Sequence, residues 1–314
     1  MKTLLFSLMS ISLLAFAAFA QEPDLEVLHI RGNAYMIGTS DGNLTVLAGP
    51  YQKNDGVLLV DSGSPRMATR IGAELRRIAP DNLPLRYIVN TSGDAEHMGG
   101  NGPLAKPDGI RPFNGGQAAD VNVYAQENVL KRVTEKNSGI PETAWPTMTV
   151  KRQKDFTFDG EAVQIFDESP AHTNGDAIVF LRGSNVIATG EIFRTTGYPV
   201  IDLARGGSIQ GEVRALNHIL DLTVPEMLQE GGTMVVPGHG RLCDQSDVAD
   251  YRDMVTIIRD RVADQIKKGK TLEQAKTARL TFDYDGRFSR PDYTGDMFVE
   301  AIYKSLKQSQ GGEK

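Results

Sequence analysis

The chain has 314 residues, 40% of them hydrophobic and 24% charged, an ordinary globular balance with enough length for a large buried core. Its formal charge of −6 argues against nucleic acid as a partner, because phosphate binding needs a basic surface. The lone cysteine, Cys243, rules out an internal disulfide and reads as a buried small hydrophobe.

Residues 1–20 read as a secretory signal peptide rather than part of the fold. Lys2 gives a weak positive start, Leu4 to Phe16 is almost uninterruptedly apolar, and Ala18-Phe19-Ala20 matches a small-x-small cleavage site. The apolar stretch is short for a membrane span, which disfavours an uncleaved anchor. The mature chain would begin at Gln21, and loss of Lys2 takes the formal charge from −6 to −7. A periplasmic or secreted protein with no stable membrane anchor is expected, since no later stretch is long and apolar enough to cross a bilayer.

The next segment reads as hairpins. Glu26 to Arg31, Ala34 to Thr39 and Leu44 to Ala48 are strand-like, with turn signals at Asp41-Gly42-Asn43 and Asn54-Asp55-Gly56. Val57 to Val60 is apolar throughout, as in a strand buried on both faces. Ser64 and Pro65 suit the cap and first position of a helix whose Met67, Ile71, Leu75 and Ile78 share a face. Pro80 lies just beyond its end, and Leu85 to Val89 is the next strand.

Residues 117–136 are a predicted helix, with Glu127 and Lys131 as an i,i+4 pair. Strands are expected at Val150 to Phe158, Ala162 to Phe166, Ala177 to Leu181 and Asn185 to Thr189. Ile209, Val213, Leu216 and Leu220 mark an amphipathic helix, and Thr233 to Val236 a short strand. Ser246 is the expected cap of a long helix carrying Val248, Tyr251, Val255, Ile258, Val262 and Ile266. A last helix covers Asp296 to Lys307, followed by a frayed tail from Gln308. With no repeat and no convincing linker, residues 21–314 read as one α/β domain.

Histidine is scarce, with five in the chain, and three lie in glycine-containing loops after strand-like runs. His97 precedes Met98-Gly99-Gly100, His172 lies in Ala171-His172-Thr173-Asn174-Gly175-Asp176, and His239 in Pro237-Gly238-His239-Gly240. Glycine beside a ligand lets the backbone turn sharply and approach an ion. His29 and His218 read instead as surface residues, on a strand and on a helix face.

The stretch Asn90-Thr91-Ser92-Gly93-Asp94-Ala95-Glu96-His97-Met98-Gly99-Gly100 resembles the metal loop of the metallo-β-lactamase superfamily, His-x-His-x-Asp-His followed by Gly-Gly. Ser92 and Asp94 stand where the pattern has histidines, Glu96 where it has aspartate, and His97 is the histidine that remains. Val60-Asp61-Ser62-Gly63, His172, Thr189-Gly190-Glu191 and Pro237-Gly238-His239-Gly240 resemble further blocks in the same order. The resemblance spans roughly Val27 to Val255. It implies an α/β fold, the four-layer αβ/βα sandwich of the metallo-β-lactamase type.

The resemblance also implies a ligand set. One metal position becomes Ser92, Asp94 and His172, poor in nitrogen donors. The other becomes Glu96, His97 and His239, with Glu191 able to bridge. Asp61 and Ser92 would stand behind the ligands and orient them. One well-held divalent ion is expected, zinc first with manganese or iron as alternatives, and a weaker second ion at Asp94, His172 and Glu191. Without a cation, Asp61, Asp94, Glu96 and Glu191 would repel one another across a single cleft.

Such an ion would make a coordinated water acidic, with Glu96 or Asp94 taking its proton. Arg194 and Tyr198 are candidates to line a small-molecule substrate pocket. The first expectation is therefore an exported metal-dependent hydrolase acting on an ester, lactone, amide or phosphoester-type bond. The second, motivated by Ser92 and Asp94, is a non-catalytic periplasmic binding or accessory protein that kept the fold.

Overall fold

The computed structural model describes residues 25–49, 56–79, 83–105 and 121–311. The expected signal peptide and most of the turn at Asn54-Asp55-Gly56 lie outside these residues. Two sheets face each other. The first runs in the order β1 (Glu26–Arg31), β2 (Ala34–Thr39), β3 (Gly42–Ala48), β4 (Val57–Val60), β5 (Leu85–Val89), β6 (Asn122–Gln126) and β7 (Met148–Val150). It opens with antiparallel hairpins and turns parallel from β4 onward. The second sheet has the order β12 (Met234–Val236), β11 (Val186–Ala188), β10 (Ala177–Leu181), β9 (Glu161–Asp167) and β8 (Gln153–Phe158).

The layers follow from strand alternation, since successive side chains point to opposite faces. Leu58 and Val60 turn inward and meet Val163, Ile165, Val179 and Val186 of the other sheet. Val57 and Leu59 turn outward onto Ile71 and Leu75 of helix α1 (Ala68–Ile78). On the far side, Ile178 and Val235 pack beneath Val213 and Leu216 of α5 (Ile209–Leu222) and Val255 and Ile258 of α6 (Gln245–Lys267). Phe298 and Ile302 of α9 (Gly295–Gly311) close that layer. The result is helix, sheet, sheet, helix, the four-layer sandwich the sequence led us to expect.

Several elements differ from expectation. The helix expected over 117–136 is strand β6 followed by the short helix α4 (Glu127–Val133), and residues up to 120 lie outside those described. Val123, Tyr124 and Ala125 are buried between layers, so packing overrode helical propensity. The Glu127–Lys131 pair forms at 3.2 Å. The strand expected from Val150 to Phe158 is two strands, β7 and β8, in different sheets. Ser64 does not cap its helix with its side chain; a short 3-10 turn at Pro65–Met67 intervenes, and the Ser64 hydroxyl donates to Asp41.

Asp244, not Ser246, caps α6, in a capping box with Asp247. The last helix runs on to Gly311, past the expected fraying point. Two short helices, α7 (Leu272–Thr277) and α8 (Phe282–Phe288), were not foreseen. Cys243 is buried, as expected. No helix among the described residues is long and apolar enough to cross a membrane.

His29 is exposed, as read, but His218 is half-buried and its Nδ1 lies on Glu168 Oε1. The carboxylate contact holds the imidazolium, so the folded-state pKa rises above 6.5 even though burial opposes it. The pair therefore contributes fully below about pH 6.5, and its contribution disappears as pH rises through the raised folded value. We expect His218→Ala to cost about 0.5 kcal/mol at pH 5.5 beyond its effect at pH 8.5, the contact being partly screened by solvent. Urea denaturation of both chains at the two pH values measures this.

Candidate active site

The carboxyl ends of β4, β5, β11 and β12 meet at one edge of the sandwich, where open α/β sheets carry their ligands. Main-chain bonds bring the loops together. Ala177 N donates to Thr91 O at 2.8 Å, and Asn43 N to Gly238 O at 2.8 Å. Asn43 Nδ2 also reaches Pro237 O at 2.9 Å and Gly240 O at 2.8 Å, fixing the loop that carries His239. Gly190 has φ +52°, and a Cβ there would lie 2.2 Å from Thr91 Oγ1. Only glycine lets the β11 loop approach the motif loop this closely.

Asp61 organises the first half of the site. Its backbone sits at φ +61°, unusual for a residue with a side chain. Its buried carboxylate accepts Thr91 N at 2.8 Å and Thr91 Oγ1 at 2.6 Å. It also lies 2.8 Å from His97 Nδ1. His97 rides on the single-turn helix α2 (Ala95–Met98), whose end is tied down by Asn90 Nδ2 and Ser62 N on His97 O, both at 2.8 Å. Asp61 thus contacts His97 on the side away from Glu191.

Past His97, three side chains share Glu191. His97 Nε2 lies 3.0 Å and His239 Nε2 2.8 Å from Glu191 Oε1. Arg194 makes an ion pair with Glu191 Oε2. Glu191 is 8% exposed and Arg194 4%, so this charge pair is withdrawn from solvent. Burial opposes protonation of His97, but the Asp61 carboxylate outweighs it and raises the imidazole's pKa. Burial, reinforced by the charges of Arg194 and His97, drops His239 to about 3. At neutral pH His239 is therefore an uncharged imidazole.

A second cluster forms around Asp94. Its Oδ2 lies 2.8 Å from His172 Nε2 and 3.1 Å from Ser92 Oγ, and Oδ1 pairs with Arg205. Arg205 Nε also donates to Asp202 Oδ2 at 2.6 Å, and His172 Nδ1 lies 2.6 Å from Val200 O. Burial penalises ionised Asp94, yet the bonds from His172 and Arg205 prevail and hold the carboxyl far below the usual carboxylate range.

The expected ligand sets are thus brought together only in part. His97, Glu191 and His239 converge, and so do Asp94 and His172. Glu96 does not join them: it is exposed on α2, and its charge reaches Arg66 and His97 only through space. Asp94 is ion-paired with Arg205, and Glu96 lies exposed outside both clusters. Tyr198 is no pocket residue. It is fully buried beneath the helices, stacked on Phe298 at 5.0 Å with its hydroxyl 2.9 Å from Asp285 Oδ1. Arg194 faces Glu191 rather than a substrate.

Among the described residues, no group of three or more His, Cys, Asp or Glu side chains is arranged to hold a metal ion. The donor chemistry gives the reason. Glu191 is already engaged at both oxygens, and the guanidinium bound to it would repel an incoming cation.

The sequence reading missed Arg205, Asp202 and Thr91, and misread what Arg194 does. One signal was available: carboxylates crowding a histidine-poor cleft require positive charge, and arginine supplies it as well as a metal does.

The metallo-β-lactamase superfamily profile matches residues 37–239. The chain belongs to the metallo-β-lactamase superfamily. That superfamily generally binds divalent metal ions, often zinc. Its fold is also that of several solved structures similar to this chain. The stereoselective inverting sec-alkylsulfatase Pisa1 from Pseudomonas sp. has TM-score 0.66 and 15% identity over 89% of this chain and 50% of that one. The metallo-β-lactamase from Pontibacter korlensis has TM-score 0.54 and 15% identity over 74% of this chain and 99% of that one. DIM-1 metallo-β-lactamase has TM-score 0.55 and 16% identity over 74% and 98%. The chain therefore spans about half the length of the alkylsulfatase. A search of curated protein sequences finds no match.

Asp61 carries three buried contacts at a left-handed backbone position, so its removal should be costly. We expect Asp61→Ala to destabilise by about 3 kcal/mol or more, and Asp61→Asn, which tolerates that conformation, by roughly half as much. Denaturant midpoints of the two variants test this, and equal losses would show that the carboxylate charge, rather than its shape or backbone preference, carries the whole effect.

Proposed function

We propose that this exported member of a hydrolase fold binds a small, negatively charged molecule in its cleft without the metal pair of its superfamily. The observation that supports this most is the pairing of Glu191 with Arg194 and of Asp94 with Arg205. Each guanidinium supplies positive charge that converging carboxylates require. Arg205 and His239 remain 31% and 26% exposed, so they are the groups an entering ligand meets. A partly exposed guanidinium favours a carboxylate, sulfate or phosphate. The similarity to a sec-alkylsulfatase makes an alkyl sulfate the first probe to try.

A second reading, a metal-dependent hydrolase, is favoured by one observation: His97 and His239 aim their Nε2 atoms at a single carboxylate oxygen. Zinc, manganese or iron would be the candidate ion. This reading requires Arg194 to leave Glu191, which the ion pair opposes.

Elemental analysis of mature protein, after incubation with zinc, manganese and iron, separates the two. We expect less than about 0.1 ion per chain, given a resident cation at each carboxylate. Calorimetry with an alkyl sulfate and with inorganic phosphate should give binding that Arg205→Ala weakens by about tenfold or more. One ion per chain, with bond hydrolysis that a chelator abolishes, would establish the second reading instead. Mass spectrometry of the exported protein should find Gln21 at its amino terminus.

A further inference from the structure

His97 and His239 present their Nε2 atoms 3.0 Å and 2.8 Å from one oxygen of Glu191. Behind His97, Asp61 holds Nδ1 at 2.8 Å, the kind of outer contact that orients an imidazole toward an ion. Two imidazoles and a carboxylate are donor types of the zinc class, but here the imidazoles bond to the carboxylate rather than standing around an ion. The feature that sets this site apart is the Arg194 guanidinium on the remaining Glu191 oxygen.

Arg194 is not held there by a dense network. Its buried Nε has no hydrogen-bond partner among the described residues. Neither carboxyl oxygen of the fully buried Glu212 has one either. Arg194 and Glu212 sense each other's charge without bonding, and burial leaves Glu212 well above the usual carboxylate range. Among the described residues, the side chain seen to fix the guanidinium is Glu191. Its position answers a need for charge more than a need for packing.

We propose that Arg194 is the resident cation of this centre, and that neutralising it alone converts His97, Glu191 and His239 into a site for one divalent ion of the zinc class. The inference rests on the reading that the native chain holds no ion there. A single positive charge beside the third ligand weakens divalent binding by at least about 100-fold at the short separations of such a site. Charge rather than bulk is the barrier, so lysine at position 194 should preserve it.

The test compares the parent, Arg194→Gln, Arg194→Lys and the double variant Arg194→Gln/His239→Ala. Zinc titration by calorimetry and elemental analysis count the ions, and cobalt absorption reports their coordination. Arg194→Gln should take up one ion per chain at least about 100-fold more tightly than the parent, with cobalt bands of low coordination number. The lysine variant should behave as the parent, and the double variant should lose the gain.

A folded Arg194→Gln chain with no tighter zinc or cobalt binding overturns the proposal. So does a lysine variant that binds as well as the glutamine one. Should Arg194→Gln fail to fold alone, refolding on addition of zinc supports the proposal, and failure with zinc, manganese and iron alike overturns it. An ion already present in the parent would instead refute the metal-free reading, whereas an empty parent with an empty variant refutes only the role given to Arg194.

Discussion

Buried negative charge must be neutralised, and that constraint governs the carboxyl-end edge of this sandwich. Asp61, Asp94 and Glu191 approach from three loops. Each would be expensive to bury ionised and alone. The chain answers with a different partner for each. His97 Nδ1 serves Asp61, Arg205 and His172 serve Asp94, and Arg194, His239 and the Nε2 of His97 serve Glu191. The loops are held as much by these pairs as by their main-chain bonds.

The fold makes that convergence unavoidable. Parallel pairing of β4 with β5 and of β11 with β12 places their carboxyl ends on one edge. Inward residues such as Leu58, Val60, Val179 and Val186 then lock the two sheets face to face. A motif loop after β5 and a glutamate after β11 are brought to hydrogen-bonding distance with no sequence proximity between them, 94 residues apart in the case of His97 and Glu191. The superfamily uses this edge for metal ions. Here the same scaffold carries guanidinium groups, which supply charge and directed donors without requiring open coordination positions.

Much of this was legible in the residues. The apolar run Val57 to Val60, the helix face of Met67, Ile71 and Leu75, and the ordered blocks around His97, His172, Glu191 and His239 led to the correct layers. Errors arose where local pattern and tertiary packing disagree. Asn122 to Gln126 became a strand because the sheet needed its Val123 and Ala125, although the segment runs directly into helix α4. Tyr198, four residues beyond Arg194, turns into the helical layer, where its ring stacks on Phe298.

The sequence by itself determined the layered α/β architecture and the loops that meet at its edge, because alternation, helix periodicity and strand-end glycines are local properties of the chain. Only the tertiary structure decided how those groups pair. Glu96 and His97 are neighbours in sequence, yet one faces solvent and the other is buried against Glu191, since successive residues on a helix point roughly 100° apart. Arg205 lies 111 residues from the Asp94 it neutralises. No spacing rule reaches that far, and whether a carboxylate meets a metal ion or a guanidinium is settled by which side chains the folded loops bring within a few ångströms of it.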